Sequence, residues 1–218
     1  TDAATAPAGC EALFSETPWR LPRTALIYRP LGYMGEVNAL PALERGYVTF
    51  GTLTRAIRLN PRLIETWVRL LQRMPDSHLV INSHNFSQPE VCELWLQRFE
   101  DLGIARERLE IGFQSPVWSV LHGVDIALDC FPQNSGTTLL ESLYIGLPFV
   151  TLAGTPSMGT LGASVLTALG HPEWIAHSED EYVDKLVALA SDVPALASIR
   201  AGLRQEMLAS PLMDEPGF

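Results

Sequence analysis

Lysine is almost absent from this sequence: Lys185 stands alone beside fourteen arginines. A P-loop, a kinase-type phosphate lysine or a Schiff-base lysine would each have to use that one position. It lies inside the helical run Tyr182-Val183-Asp184-Lys185-Leu186-Val187, with no glycine loop before it, which excludes all three. Cysteine is scarce and scattered, since Cys10, Cys92 and Cys130 form no C-x-x-C pair. The histidines, His78, His84, His122, His171 and His177, form no H-E-x-x-H or similar spacing. A zinc site and a disulfide framework are therefore not expected, and an odd cysteine count fits a reducing compartment. No G-x-G-x-x-G follows a strand, so the standard NAD fingerprint is missing. Positive charge is in deficit: 15 basic against 25 acidic residues give a net charge of −10. That balance speaks against a nucleic-acid partner and against an anionic membrane surface.

Targeting signals are also missing. Residues Thr1 to Gly9 show neither the basic nor the apolar region of a secretory signal. The uncharged stretch from Ser142 to Pro172 would mislead a hydropathy scan, but Gly146, Pro148, Gly154, Pro156, Gly159 and Gly162 interrupt it, so no membrane span is expected. No internal repeat of ~20–50 residues is evident. The expectation is a cytoplasmic, soluble globular domain with no metal cofactor.

What is present is a chain of 218 residues, 47% hydrophobic and 18% charged, enough for a substantial core. Residues 1–20 are rich in Ala, Thr and Pro and suggest a flexible tail or linker. Residues 21–46 carry turn residues and short apolar runs without a sustained period. From Tyr47 the pattern becomes regular. Tyr47 to Phe50 predicts a strand ended by Gly51, and Pro61 opens a helix with Leu63, Ile64, Trp67, Leu70 and Leu71 on one stripe. Strands follow at His78–Ile81, Leu109–Ile111, Val124–Leu128, Phe149–Leu152 and Trp174–Ala176. Helices are predicted at 89–102, 117–121, 138–144, 162–169, 179–189 and 194–208. Short apolar strands alternating with helices imply a doubly wound parallel α/β sheet of Rossmann type, a single domain over residues 21–218. Ligands in such sheets bind beyond the carboxyl ends of the strands, in the loops after Phe50, Ile81, Ile111, Leu128 and Leu152.

The segment from Asp129 to Glu141 carries the most chemistry. It leaves a strand, turns through Asn134-Ser135-Gly136 and starts a helix with Thr137 and Thr138. A helix start presents unpaired N–H groups and about half a positive charge, an anion site, and the two hydroxyls add donors. Glu141, one turn on, can accept from sugar hydroxyls. A second reading stands beside this one. Thr138-x-x-Glu141 also fits a capping box, in which Glu141 only closes the helix start.

Asn134-Ser135-Gly136-Thr137-Thr138, followed by Glu141-Ser142-Leu143-Tyr144-Ile145-Gly146-Leu147-Pro148, resembles glycosyltransferase family 41, the O-GlcNAc transferases and their bacterial TPR-linked and SPINDLY-like relatives. Gly46 to Gly51, Gly162-Ala163-Ser164, Pro172 to Ala176 and Ser210-Pro211-Leu212 support the match, which runs from about Leu21 to the end. The resemblance implies the C-terminal, donor-binding lobe of a GT-B glycosyltransferase. The family's N-terminal lobe, its TPR array and its active-site histidine have no counterpart in the matched residues. No catalytic residue is therefore expected in this chain, which on its own should be inactive.

The same resemblance implies a UDP-sugar site. Ser135, Gly136, Thr137 and Thr138 match the diphosphate-binding turn, and Glu141 matches an acidic residue on the uridine ribose. Arg58 matches a lysine on the diphosphate, keeping the charge but changing its shape. Arg55 matches a glutamine near the donor sugar, and Gln114 lies in the Phe113–Trp118 stretch that matches the uracil-binding loop. Arg55 and Arg58 can also sit on a solvated helix-start face. The sequence departs from the family at Gly136, Val117, Thr160 and Asn82, where animal members or others carry His, His, Arg and Lys. His122 and His171 flank helix ends, as capping or surface residues do. The implied reaction is inverting transfer of N-acetylglucosamine to a protein Ser or Thr, with a protein acceptor as partner. Two alternatives stay open: a non-catalytic interaction module that kept the fold, and another GT-B enzyme such as a sugar-nucleotide epimerase.

Overall fold

The computed structural model describes residues 1–30, 32 and 34–218. A short helix α1 (Ala42–Arg45) precedes β1 (Thr49–Thr52), and strands and helices then alternate. They are α2 (Pro61–Arg73), β2 (His78–Asn82), α3 (Pro89–Asp101), β3 (Leu109–Gly112), α4 (Val117–Leu121) and β4 (Ile126–Leu128). The second half continues with α5 (Thr137–Ile145), β5 (Phe149–Leu152), α6 (Leu161–Leu169), β6 (Ile175–Ala176), α7 (Glu179–Ser191) and α8 (Val193–Ala209). All six strands run parallel in the order β3-β2-β1-β4-β5-β6. That order reverses between β1 and β4, which opens a crevice at their carboxyl ends.

Local chemistry explains these elements. Asn60 caps α2 by accepting from the Leu63 N–H, and Pro61 fills the first helical position, where no N–H is needed. Leu63, Ile64, Trp67, Leu70 and Leu71 are buried on one stripe of α2, each stabilising the fold by roughly 1.5–3 kcal/mol. Every residue of β1, β4 and β5 is buried, as strands covered on both faces require. The first strand differs from expectation. It spans Thr49–Thr52 and includes Gly51, because a Cβ there would lie 2.5 Å from the Val124 side chain. Glycine at this point allows a close approach and does not end the strand.

The first ten residues lie against the domain, with Asp2, Thr5, Ala6 and Cys10 buried, whereas residues 11–20 are largely exposed. The Asp2 carboxylate accepts from Thr5 Oγ1, from the Ala25 N–H and from Ser164 on α6. Tyr28, Gly35 and Asn38 meet α5 and α8. Tyr28 sits 6.1 Å from Tyr144, ring to ring, and the buried Arg200 guanidinium donates to Asn38 and to the Val124 carbonyl. Asn38 also pairs with His122 Nδ1 at 3.0 Å. Ion pairs of Arg62 and Arg69 with Glu179, and of Arg73 with Asp184, tie α2 to α7. Among the described residues, no single helix is long and apolar enough to cross a membrane.

Candidate functional site

The crevice between β1 and β4 is bounded by two loops. From the β1 side comes the segment carrying Arg55 and Arg58; from the β4 side comes the turn Asp129–Gly136 that feeds α5. Arg58 Nη1 lies 3.5 Å from Ser135 Oγ, which brings two of the expected residues together across 77 positions of sequence. Asn60 fixes the spacing of the two loops, its Nδ2 donating to the Phe131 carbonyl at 2.7 Å while its Oδ1 caps α2.

Helix α5 starts without a side-chain cap: the N-cap is Gly136, and no hydroxyl or carboxylate closes the first turn. The capping box is therefore not formed. Thr137 and Thr138 stand at the helix start with Gly136 before them, and their backbone N–H groups point along the axis into the crevice mouth. Glu141 is half-buried one turn further on, and burial raises its carboxyl above the usual range. The half-charge of the helix and its unpaired first N–H groups thus lie beside Ser135, which the Arg58 guanidinium meets, with two hydroxyl residues on the same turn, an arrangement that suits a doubly charged oxyanion.

The turn is held from beneath by two buried side chains. Asp129 Oδ1 accepts from the N–H of Cys130 at 2.8 Å and from the N–H of Ser135 at 2.7 Å; Oδ2 accepts from Thr151 Oγ1 at 2.7 Å. Burial raises the Asp129 carboxyl to about 7, against the opposing pull of these bonds and of Arg58. Asn134 donates to the Cys130 carbonyl at 2.9 Å and accepts from the Gly162 N–H at 3.3 Å. Gly162 has to be glycine: a Cβ would stand 2.2 Å from Thr151 Oγ1 and 2.7 Å from Asp129 Oδ2. Burial pushes the Cys130 thiol up to about 12, so this cysteine is an inert core group.

The other expected residues lie further out. Arg55 is exposed on the β1 loop. Gln114 follows β3, two strands from β1, so about 10 Å separates the strands that carry Gln114 and Arg58. Its backbone N–H donates to Asn82 Oδ1 at 2.7 Å, and Asn82 Nδ2 returns a bond to its carbonyl at 3.1 Å. Asn82 thus anchors the 113–116 loop. Gln114 lines a recess of about 530 Å³ with Arg45, Tyr47, His78 and Arg108. Thr160 turns its hydroxyl to the Ser157 carbonyl at the start of α6. Ile57, Phe113 and Met158 expose apolar surface on the loops at the carboxyl ends of the strands. Sequence reasoning assigned no role to Asp129, Asn134 or Asn60; the available signal was an acid directly after a fully buried strand.

A sequence model described as glycosyl transferase family 41 matches residues 39–217. The chain is 38% identical over 203 residues to a protein from Arabidopsis thaliana named probable UDP-N-acetylglucosamine–peptide N-acetylglucosaminyltransferase SPINDLY, over 91% of this chain and 22% of that protein. A solved mutant of the O-GlcNAc transferase from Thermobaculum terrenum superposes with a TM-score of 0.89 at 29% identity, over 99% of this chain and 41% of that one. The C-terminal domain of a glycosyl transferase group 1 family protein from Francisella tularensis shares the fold, with a TM-score of 0.56 at 16% identity over 82% of this chain and 94% of that one. The chain spans about a quarter of the length of the curated relatives it matches.

Proposed function

The chain belongs to glycosyltransferase family 41, and from that membership we propose that it is the nucleotide-sugar-binding lobe of an O-GlcNAc-transferase-like enzyme. The observation that carries this reading is the pairing of Arg58 with Ser135 beside the uncapped start of α5. In this reading the diphosphate of a UDP-sugar lies on the N–H groups of Gly136, Thr137 and Thr138. Arg58 meets it from the β1 side, and Glu141 accepts from the ribose hydroxyls. Arg55 faces the sugar, and the Gln114 loop faces the base.

The reaction would be transfer of the sugar to a protein Ser or Thr hydroxyl with inversion at C1. As the bond from C1 to the diphosphate breaks, negative charge grows on the leaving oxygen. The helix start and the guanidinium are already aimed there, so they stabilise the transition state more than the ground state and need no metal to do so. A closing lobe from the rest of a longer protein would supply the acceptor side and exclude water.

Titration of this chain with UDP, with other nucleoside diphosphates alongside, tests the reading. With one wall of the cleft present, a Kd of roughly 1 mM is expected, about −4 kcal/mol. At ten times that concentration, linkage adds about 1.4 kcal/mol of stability, which a melting curve resolves. An unchanged melting curve at high UDP would favour the interaction-module reading instead.

A further inference from the structure

We propose that Asp129 is the positioning residue of the anion-binding turn, and that filling the turn with a diphosphate is coupled to uptake of a proton by its carboxylate. The inference rests on the nucleotide reading above and adds to it a regulator of the same site. The carboxylate bonds the first and last N–H of the turn, Cys130 and Ser135, and so closes the loop from inside. With the Ser135 N–H turned inward, the next three N–H groups face outward, and Ser135 Oγ is left for Arg58. Thr151 and the bare Cα of Gly162 pack directly against the carboxylate on its other side.

The charge environment supplies the coupling. Arg58, on the β1 loop, is the charged group that acts on Asp129. Cys130 on the turn and Tyr182 on α7 face it as neutral groups, their protons held by burial. Thr151 on β5 donates to it, and α6 brings only Gly162. A diphosphate on the outer side of Ser135 would place a second anion against the same turn and draw on the same guanidinium. Two anions sharing one cation raise the proton affinity of the buried one. The carboxyl already titrates near neutrality, so the response falls in an accessible range. A proton taken from solvent onto Oδ2 leaves Oδ1 free to keep both N–H bonds, and the turn survives neutralisation.

Calorimetry with UDP-N-acetylglucosamine tests the coupling, because its diphosphate is esterified at both ends and keeps a fixed charge. Between about pH 6 and about pH 8.5, binding by the native chain should weaken roughly tenfold, the equivalent of one unit of pKa shift. Runs in two buffers of different ionisation enthalpy should show fractional proton uptake. Asp129→Asn mimics the protonated acid, so it should bind as the native chain does at low pH, with a flat profile. Thr151→Val removes the hydroxyl that steadies the charged form, so it should move the midpoint of the profile to higher pH. Parallel profiles for native and Asp129→Asn chains, or no proton uptake, would overturn the coupling.

The positioning role is read without ligand by amide hydrogen exchange. Asp129→Ala should accelerate exchange at Cys130 and Ser135 at least tenfold, while Asp129→Asn keeps both protected. Unchanged exchange in folded Asp129→Ala would overturn the positioning role. If Asp129→Ala does not fold, faster exchange at both amides in Asp129→Asn would overturn it. A native chain that binds no UDP-sugar at any pH, with the exchange pattern as expected, would instead sink the nucleotide reading and the coupling together, leaving the positioning role standing.

Discussion

The Arg58 guanidinium reaches the Ser135 hydroxyl at 3.5 Å across the crevice between β1 and β4, although the two residues come from opposite halves of the sheet. Neither half alone contains a site. The β1 side brings a positive charge on a short loop, and the β4 side brings a helix start with nothing capping it.

Replacing that guanidinium is the first test. Arg58→Ala should abolish most of the UDP-dependent melting shift, since a charge-assisted contact contributes about 1.5–3 kcal/mol. Arg55→Ala, on the same loop but exposed, should reduce it less. Equal losses in the two variants would show that the loop contributes only general positive charge.

The ribose role proposed for Glu141 is tested by comparing UDP with a ligand that has phosphate only. Burial raises its folded pKa, so its contribution to stability is present below the unfolded pKa and is lost as pH rises through the folded one. At neutral pH, Glu141→Gln should therefore not destabilise the chain, and the half-exposed position limits any gain to under about 1 kcal/mol. Binding of UDP should fall about tenfold while binding of inorganic pyrophosphate is unchanged. Equal loss of both ligands would remove Glu141 from the ribose site.

Gly162→Ala probes the contact of α6 with the turn. The new methyl would collide with Thr151 Oγ1 and Asp129 Oδ2, so α6 must shift, at a cost of about 2–3 kcal/mol in chemical denaturation. UDP binding should fall with it. A variant of native stability would mean that α6 and β5 are less closely packed than described.

His171 gives the fold a pH dependence away from the site. Its ring stacks on Trp174 at 4.0 Å and lies between Glu173 and Glu206, at 2.6 and 2.7 Å. Burial lowers its pKa, but the bonds its ring donates to Glu206 and Glu173 outweigh this and the net shift is upward from 6.5. The stabilisation is therefore full below about pH 6.5 and is lost as pH rises through the folded value. Because the group is partly exposed, the effect should stay under about 1 kcal/mol. The Tm difference between the native chain and His171→Gln should shrink from about pH 5.5 to about pH 8.5. A constant difference would place the contribution in the ring stack alone.

Periodicity made the sheet legible. The strands and helices from β2 onward fall within two or so residues of expectation, because parallel strands and amphipathic helices leave distinct apolar patterns. The start of α5 was legible as an anion site but also as a capping box, and only the folded chain, in which no side chain caps the helix, separates the two. Asp129 was written in the sequence without a role, because an aspartate after a strand gives no sign that three donors will converge on it. Asn82 appeared only as a departure from a family pattern, whereas its amide pairs with the backbone of a loop more than thirty positions away. Contacts of this kind depend on which distant segment folds alongside, and no local window contains that information. The buried Asp2, in a segment whose composition suggests a tail, is another case.

Asn60 has a wider consequence. Its single amide uses the oxygen to start α2 and the nitrogen to grip the Phe131 carbonyl, so two tasks are fused in one planar group. Aspartate would keep the first and lose the second; serine would cap but is too short to span the gap. Over generations the two loops are therefore not free to drift apart. An insertion in either one must preserve the reach of one carboxamide, so the outer residues of the crevice can change while its width stays inherited.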